Sequence, residues 1–291
     1  MKDICTSFML YNNNYRGRLM RLDSVIKEIN SRHQYPLPIA HLTAEATTLA
    51  AILASSLKYD GLFTLQTKSD GPVSQVVVDV TSEGNIRACT SFDEERLNKA
   101  QALRKTSGEV EPAPYLMGGG HLAFTVDQGK DTELYQGIVE LKGKTFADLV
   151  LKYFTNSEQI ETYIKLFTSY EDEWKTACLM IQKMPETTES NPENFNEAKI
   201  LADSLNVDEL FAQNLPNQEV LHRLFHNSDL KVTDEKTYQF KCRCSREKLQ
   251  TTLSGFSKED IDSIAENNKI QTKCEFCSSE YIFEKGELIT Q

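Results

Sequence analysis

Apolar residues over positions 1–183 follow two spacings, one typical of helices and one typical of strands. Leu22, Val25, Ile26 and Ile29 recur at helical spacing and predict an amphipathic helix. The apolar run at 44–57 predicts a second, buried helix, whose roughly 14 residues fall short of the ~20 that span a bilayer. Helices of this kind are expected to pack inside a folded core.

Segments rich in alternating or β-branched residues predict the strands of the same region. The turn sequences Asp-Gly-Pro at 70–72 and Glu-Gly-Asn at 83–85 indicate an antiparallel meander. The predicted strands are 61–67, 73–80, 86–90, 121–127, 133–141, 160–167 and 174–184, the last two forming a closing hairpin. Further helices are predicted after the capping sequence 91–94 and near Thr145. We assign residues 1–183 to one α+β domain with an antiparallel sheet and packed helices.

The pattern changes at Met184, where short amphipathic segments replace the strands. Residues 184–235 carry 11 acidic and 3 basic residues, which gives a net charge of −8. Their apolar residues group around 200–205, 210–215 and 220–225 and predict helices of two or three turns. Because helices this short have little stability of their own, we predict a helical linker that persists only while it is docked. It should be the least stable part of the molecule.

Composition and charge narrow the classes of function. The chain has 291 residues, 40% of them hydrophobic, and a net charge of −11 at pH 7, as expected of a globular protein with a sizeable core. Nucleic acid and anionic membranes are polyanions, so neither is expected as a partner. The N-terminal sequence lacks the basic-then-apolar pattern of a secretion signal, and an odd number of cysteines, seven, argues against a disulfide scaffold. We therefore expect a cytoplasmic protein.

Four of the seven cysteines lie in residues 236–291, the third predicted domain. Cys242-Arg-Cys244 and Cys274-Glu-Phe-Cys277 are two thiol pairs separated by 29 residues. This arrangement is typical of a tetrahedral Zn(Cys)4 site, in which each pair supplies two ligands from one tight local structure. A unit of about 55 residues usually needs such a staple because its core is small. We therefore predict one Zn²⁺ per chain on these four cysteines.

The first pair has one residue between its cysteines, whereas zinc ribbons usually have two. A disulfide across so short a loop is strained and therefore relatively oxidising. The neighbouring Lys241, Arg243, Arg246 and Lys248 are expected to favour the thiolate, which is the form that reacts with oxidants. Zinc binding contributes about 10–16 kcal/mol to the folding of comparable peptides, so loss of the metal on oxidation should unfold the unit.

The other candidate residues favour structural roles. Cys5, Cys89 and Cys178 are expected to be buried or incidental thiols. His222 and His226 are spaced to share one face of a helix, but the zinc-protease pattern requires Glu directly after the first His, where Arg223 stands.

The segment Lys-Cys-Arg-Cys-Ser-Arg-Glu-Lys at 241–248 resembles the bacterial 33-kDa redox-regulated heat-shock chaperones, and the resemblance covers nearly the whole chain. Further matching sequences are Cys-Glu-Phe-Cys at 274–277, Tyr-Ile-Phe at 281–283, Arg-Gly-Arg at 16–18, Leu-Lys-Tyr-Asp-Gly at 57–61, Asp-Gly-Pro-Val at 70–73 and Tyr-Gln-Gly-Ile-Val-Glu at 135–140.

This resemblance implies an ATP-independent holdase and not an enzyme. It implies that the reduced, zinc-bound protein is inactive, and that oxidation expels zinc and forms the disulfides Cys242–Cys244 and Cys274–Cys277. The C-terminal domain and the linker then unfold and uncover apolar surface that binds unfolding client proteins. A homodimer is expected in the oxidised state.

Two other classes of function remain open at this point. A zinc ribbon that binds nucleic acid predicts a basic domain, but residues 236–291 carry nine acidic and nine basic residues. A thiol oxidoreductase or zinc enzyme requires an open metal position or a thioredoxin-like Cys-x-x-Cys at the start of a helix, whereas four cysteine ligands indicate a closed site.

Overall fold

The protein is analysed as a computed structural model that describes residues 3–107, 113–129, 134–170, 173–185, 191–212 and 214–288. The chain divides into two compact units, Met1–Phe240 and Lys241–Gln291. The division of function among 1–183, 184–235 and 236–291 stays a prediction.

Both units combine strands and helices, which confirms the predicted α+β class. The strands are β1 (Ile4–Leu10), β2 (Tyr15–Leu22), β3 (Leu62–Ser69), β4 (Val73–Thr81), β5 (Asn85–Phe92), β6 (Gly120–Asp127), β7 (Tyr135–Glu140), β8 (Thr162–Tyr170), β9 (Trp174–Lys183), β10 (Lys231–Thr237), β11 (Gln239–Phe240), β12 (Lys269–Lys273) and β13 (Glu280–Glu284). The helices are α1 (Ser24–His33), α2 (Leu37–Ser56), α3 (Glu94–Ser107), α4 (Phe146–Tyr153), α5 (Pro192–Asp203), α6 (Val207–Leu210), α7 (Asn217–Phe225), α8 (Arg246–Leu253), α9 (Lys258–Ile264) and α10 (Lys285–Leu288).

Two sheets organise the described part of the first unit. One has five strands in the order β10-β1-β2-β9-β8, and all of its neighbouring pairs are antiparallel. The other has six strands in the order β11-β5-β4-β3-β6-β7, and only the short β11–β5 pair is parallel. The predicted meander β3-β4-β5 and the closing hairpin β8-β9 are both confirmed.

Helix α2 packs in the main apolar core, in contact with strands of both sheets. Its buried threonines Thr43, Thr47 and Thr48 each donate a hydrogen bond to the carbonyl four residues earlier, at 2.7–2.9 Å, so their hydroxyls are satisfied inside the core. Within the described residues α2 is the one helix long and apolar enough to cross a membrane, and 78% of its most apolar window is buried in the protein. This burial is that of a core helix.

Three local features differ from the predictions, although the helix predicted after 91–94 is confirmed as α3. The N-terminal hairpin β1–β2 was not predicted, although Asn12 and Asn13 adopt the left-handed conformation that asparagine tolerates in tight turns. Helix α2 begins at Leu37 rather than at 44, because Pro38 lies in the first turn, where no amide donor is needed. Helix α3 begins at Glu94, and its first turn is capped by Asp93, which accepts a hydrogen bond from the Arg96 amide at 2.9 Å.

The predicted short helices of 184–235 lie in the first unit as α5, α6 and α7. Together with the outward face of the five-stranded sheet they form a second apolar core. Beyond them, β10 pairs with β1 at the edge of the same sheet. The linker segment is therefore docked, as its composition requires.

One buried carboxyl makes the stability of this unit depend on pH. The Glu45 side chain in α2 is 13% exposed, its Oε2 has no hydrogen-bond partner in the described chain, and burial raises its pKa from 4.5 to about 7. His41 Nδ1 is 3.9 Å from Oε1, but burial lowers the pKa of that histidine, which favours its neutral form.

We predict that Glu45→Gln flattens the pH dependence of unfolding. Between pH 4.5 and about 7 the folded protein retains the Glu45 proton and the unfolded chain has lost it, so stability falls as pH rises. The substitution should remove a fall of up to about 3 kcal/mol. Urea unfolding of both proteins across this window measures the difference, and parallel pH profiles would contradict the prediction.

Candidate metal centre

The four C-terminal cysteines lie on two local structures of the second unit. Cys242 and Cys244 lie in the extended segment before α8, whose first turn is capped by the Ser245 side chain accepting from the Lys248 amide. Cys274 and Cys277 lie in the turn between β12 and β13. The chain therefore presents one pair from an extended segment and one from a hairpin turn.

The hairpin turn is fixed by its own backbone. The Cys274 amide donates to the Ser279 carbonyl at 2.9 Å, and the Ser278 amide donates to the Cys274 carbonyl at 2.8 Å. Ser278 adopts the left-handed conformation, with φ of 56°. Backbone amides of Phe276 and Cys277 also hydrogen-bond the Cys274 sulfur. These contacts orient the two thiols to one side of the turn.

All four sulfur atoms come together within 4.8 Å of one another. Cys242 Sγ lies 3.7 Å from Cys274 Sγ, and Cys244 Sγ lies 3.4 Å from Cys277 Sγ. Four sulfurs at about 2.3 Å from a central Zn²⁺ would be separated by about 3.8 Å in a tetrahedron, whereas a disulfide requires about 2.05 Å. The observed spacing fits a tetrahedral metal site formed by free thiols.

The surroundings of three of the four thiols shift their pKa values, and not all in the same direction. Burial raises the pKa of Cys274 to about 12, and burial is also the main cause of the raised pKa of Cys244. At Cys277 burial acts in the same direction, but hydrogen bonds with the side chain and backbone of Ser279 outweigh it and lower the pKa to about 7. Of Cys244, Cys274 and Cys277, Cys277 therefore ionises most readily, and a bound metal ion would favour the thiolate form of each further.

The expectation that flanking basic residues favour the thiolates stays a prediction, and two of these residues have partners elsewhere in the unit. Arg246 stacks on the Phe283 ring, with its guanidinium carbon 4.4 Å from the ring centroid, and pairs with Glu287 at 2.7 Å. Lys248 Nζ donates to the Arg243 carbonyl at 3.1 Å. Arg246 therefore links α8 to β13 and α10, and Lys248 links α8 to the segment that carries Cys242 and Cys244.

Apart from the four clustered cysteines, the described residues of the second unit form only a small apolar core. Its buried hydrophobic core consists, in the described residues, of Ile261, Ile270, Phe283 and Leu288. Phe256, Ile264 and Ile282 are about half exposed. Since burial of a large aliphatic or aromatic side chain contributes only about 1.5–3 kcal/mol, four such residues give a marginal fold. A metal ion on the four sulfurs is therefore expected to supply most of the unit's stability.

The other cysteines and the two histidines do not form a comparable site among the described residues. Cys5, Cys89 and Cys178 are buried, as predicted. Burial raises the pKa of Cys5 to about 11 and also raises the pKa of Cys178. The four C-terminal cysteines form the one group in the described chain with metal-ligand spacing.

Comparison with known proteins places this geometry in a family. The family model of the Hsp33 protein matches residues 3–284. The 33 kDa chaperonin of Caulobacter vibrioides is 33% identical over 290 residues, which covers 97% of this chain and 94% of that protein. The 33 kDa chaperonin of Shewanella loihica is 34% identical over 288 residues, which covers 99% of this chain and 94% of that protein.

A solved structure supports the fold. The crystal structure of the 33 kDa chaperonin, a heat shock protein 33 homolog, from Thermotoga maritima aligns with a TM-score of 0.82 over 99% of this chain and 97% of that chain. Sequence identity in this alignment is 21%, so the comparison bears on the fold alone.

Proposed function

The chain belongs to the Hsp33 family, and on that premise we propose that it is an ATP-independent holdase that oxidation switches on through the release of zinc. Family membership makes the protein a chaperone that binds unfolded proteins. The curated relatives are named chaperonins and not enzymes, which confirms the prediction that the chain is not an enzyme.

The observation that carries the proposal is the placement of four thiols, none of them in a disulfide, at metal-ligand spacing in a unit with a very small core. Zn²⁺ supplies folding free energy to such a unit, and its thiolate ligands are the groups that oxidants attack. Oxidation of two thiols to a disulfide removes two ligands and two electrons together. The same chemistry that senses the oxidant therefore removes the unit's main source of stability.

The docked linker supplies the surface that activation uncovers. Its contribution to the second core consists of Phe195, Ala198, Ala202, Leu205, Leu210, Phe211, Val220, Leu221 and Phe225. The sheet contributes the opposite face, with Phe8, Leu10, Tyr15, Leu19, Phe167, Ala177, Leu179 and Ile181 among its residues. Undocking of the linker would expose both sets of apolar side chains to client proteins.

Packing at the centre of this interface is close. The Phe8 ring lies directly over Gly17, where an added Cβ would come within 2.1 Å of the ring. On its other side Phe8 stacks on Phe225 of α7 at a centroid distance of 5.7 Å. Such a surface is apolar and well formed while the linker is docked, which accounts for an inactive reduced state.

The acidic charge of the linker favours its release. Residues 184–235 carry a net charge of −8, which is most of the chain's −11. Self-repulsion of this charge destabilises a compact arrangement and keeps an opened, apolar chaperone in solution. We propose that the linker opens once the zinc unit unfolds.

We propose local disulfides, Cys242–Cys244 and Cys274–Cys277, in the oxidised state. In the folded site the shortest contacts include cross-pairs, Cys242 with Cys274 and Cys244 with Cys277. After the unit unfolds, however, partners one or two residues apart stay close while the two pairs separate. Peptide mapping of the oxidised protein distinguishes the two outcomes, and a cross-linked peptide joining the pairs would contradict the proposal.

The remaining parts of the proposal concern setting and assembly. We propose a cytoplasmic protein, where reducing conditions keep the thiols free for zinc. We also propose that the oxidised form assembles into homodimers through newly exposed apolar surface, and that neither nucleic acid nor membrane is a partner.

The test of the function follows zinc and chaperone activity together. Peroxide is added to the reduced protein under mildly unfolding conditions, a chromogenic chelator records zinc, and light scattering records the aggregation of a heat-unfolding client. We expect release of one zinc per chain and suppression of scattering with the same time course. Reduction and added zinc should reverse both signals.

Two outcomes would overturn the proposal. Zinc release without any gain in the suppression of aggregation would separate the metal site from the chaperone. Suppression of aggregation by the reduced, zinc-bound protein at the level of the oxidised protein would show that the thiols do not control activity.

A further inference from the structure

A cavity of about 180 Å³ lies in the first unit where α2, β2, β3 and β6 meet the segment around α4. Its lining residues are Arg16, Leu53, Ser56, Leu57, Phe63, Phe124, Val126, Tyr135, Tyr153, Phe154, Glu158 and Ile160. Most of them are apolar or aromatic, with a few polar groups, which is the usual composition of a small-molecule site. The volume corresponds to about six water molecules and suits a compact ligand.

At one end of the cavity, hydrogen bonds hold the negatively charged Glu158 side chain in place. Helix α4 continues into a π-helical turn, Phe154–Glu158, which ends at Gln159 in the left-handed conformation. Such turns are frequent at functional sites. The hydroxyls of Tyr135 and Tyr153 each donate to Glu158 Oε1 at 2.5 Å and also contact each other. These two hydrogen bonds lower the pKa of Glu158, so the carboxylate stays charged.

The positive end is Arg16 on β2. Its Nε donates to Gln182 Oε1 at 3.1 Å, and burial lowers its pKa. Among the described residues no carboxylate lies within ion-pair distance of Arg16, and no cationic group lies within that distance of Glu158. Two opposite charges thus line one cavity without neutralising each other.

We propose that this cavity binds a free α-amino acid with an apolar or aromatic side chain. The ligand's carboxylate would pair with Arg16, its ammonium with Glu158 and the faces of the tyrosine rings, and its side chain with Phe63, Phe124 and Leu57. A purely cationic ligand would meet the unpaired Arg16, and a purely anionic ligand would meet Glu158. A zwitterion pairs with both charges, whereas a neutral ligand pairs with neither and further desolvates Arg16, whose charge burial already disfavours.

The test compares four related probes on the reduced full-length protein by isothermal titration calorimetry. They are L-phenylalanine, 3-phenylpropionate without the ammonium, phenethylamine without the carboxylate, and N-acetyl-L-phenylalaninamide without either charge. We expect L-phenylalanine to bind, and each of the others to bind at least about tenfold more weakly. The last probe represents a residue inside a client chain, so equal binding of it would overturn the proposal and indicate a pocket for client side chains.

Variants of Glu158 and Tyr135 test the negatively charged end of the cavity. Glu158→Gln should weaken L-phenylalanine binding by about tenfold or more and should strengthen the binding of 3-phenylpropionate, whose carboxylate no longer meets the Glu158 charge. Tyr135→Phe, which removes one donor to Glu158, should have the same effect to a smaller degree. Glu140→Gln is the matched control, because Glu140 lies on β7, pairs with Lys142 at 2.7 Å and does not line the cavity.

Three results would overturn the proposal: no binding of L-phenylalanine, equal binding of all four probes, or an unchanged affinity in Glu158→Gln. None of these results depends on chaperone activity, so a failure of this proposal can be told apart from a failure of the proposed redox switch.

Discussion

Cys274→Ser is expected to abolish stable zinc binding and unfold the second unit while residues 1–183 stay folded. Cys274 supplies one of four sulfurs within 4.8 Å of one another, and it anchors the hairpin turn through its backbone contacts with Ser278 and Ser279. Replacement of groups that merely support metal ligands costs about 10–100-fold in affinity, so loss of a ligand should cost more. The unit's four buried apolar residues cannot compensate for this loss.

The measurements are zinc content after dialysis and limited proteolysis followed by mass spectrometry. We expect substoichiometric zinc and rapid cleavage within 241–288, with a protected fragment that contains the strands of residues 1–183. Cys89→Ala is the matched control, because Cys89 is a buried thiol of β5 in the first unit and should leave zinc stoichiometric. Cooperative digestion of the whole chain in Cys274→Ser would contradict the separation of the units.

The same variant distinguishes the effect of losing zinc from the effect of the oxidant. A variant that lacks zinc without oxidation should expose the same unit as peroxide does. If it suppresses client aggregation in reducing buffer, loss of zinc suffices for activation. If it binds no client although the second unit is unfolded, then release of the linker requires a further step.

The cluster of four cysteine sulfurs was predictable from sequence because four thiols in two close pairs have few other uses in a small unit. The meander β3-β4-β5 was predictable for a similarly local reason, since each strand is bounded by a turn sequence. Local signals failed where distant residues decide the structure. Arg16, Arg18 and Arg21 read as one basic cluster, yet alternation along β2 sends Arg16 and Arg18 to one face of the sheet and Arg21 to the other.

The activation of the thiols could not be predicted from charge alone. Arg246 is two residues from Cys244 in sequence, but its guanidinium is occupied by Phe283, Glu287 and the Ile282 carbonyl. Which basic side chain faces a thiol depends on how α8 packs on the β12–β13 hairpin. Similarly, the amphipathic pattern of α5–α7 predicted docking but not the polar residues that hold the linker in place.

The strongest of those polar contacts is made by Arg21, which is 2% exposed in the core of the first unit. Its guanidinium donates to the Leu215 carbonyl at 2.6 Å, the Ala212 carbonyl at 3.1 Å and Asn217 Oδ1 at 3.2 Å, where the linker passes from the end of α6 to the first residue of α7. Asn217 in turn donates to Thr6 Oγ1 and to the Leu19 carbonyl. One buried cation therefore satisfies three acceptors of the linker.

Arg21→Met should release the linker without oxidation. The methionine fills the apolar volume but leaves the three linker acceptors without their donor, and hydrogen bonds to charged groups contribute about 1.5–3 kcal/mol each. A loss of about 3 kcal/mol raises the population with an open linker by about 150-fold. We expect faster amide hydrogen exchange over α5–α7 and suppression of client aggregation by the reduced protein, with one zinc still bound per chain.

Arg223→Met is the matched control for this prediction, because it removes an arginine from the linker itself at an exposed position. Arg223 pairs with Glu209 at 2.9 Å and with Glu219 at 3.2 Å, and about half of its side chain is exposed. Exposed ion pairs are screened by solvent and contribute little to stability, so this variant should behave like the parent protein. If Arg21→Met also keeps its linker protected and stays inactive until oxidised, the apolar interface alone holds the linker. If instead Arg21→Met opens the linker and client binding appears with zinc in place, the zinc unit acts on the chaperone surface only through the docked state of the linker.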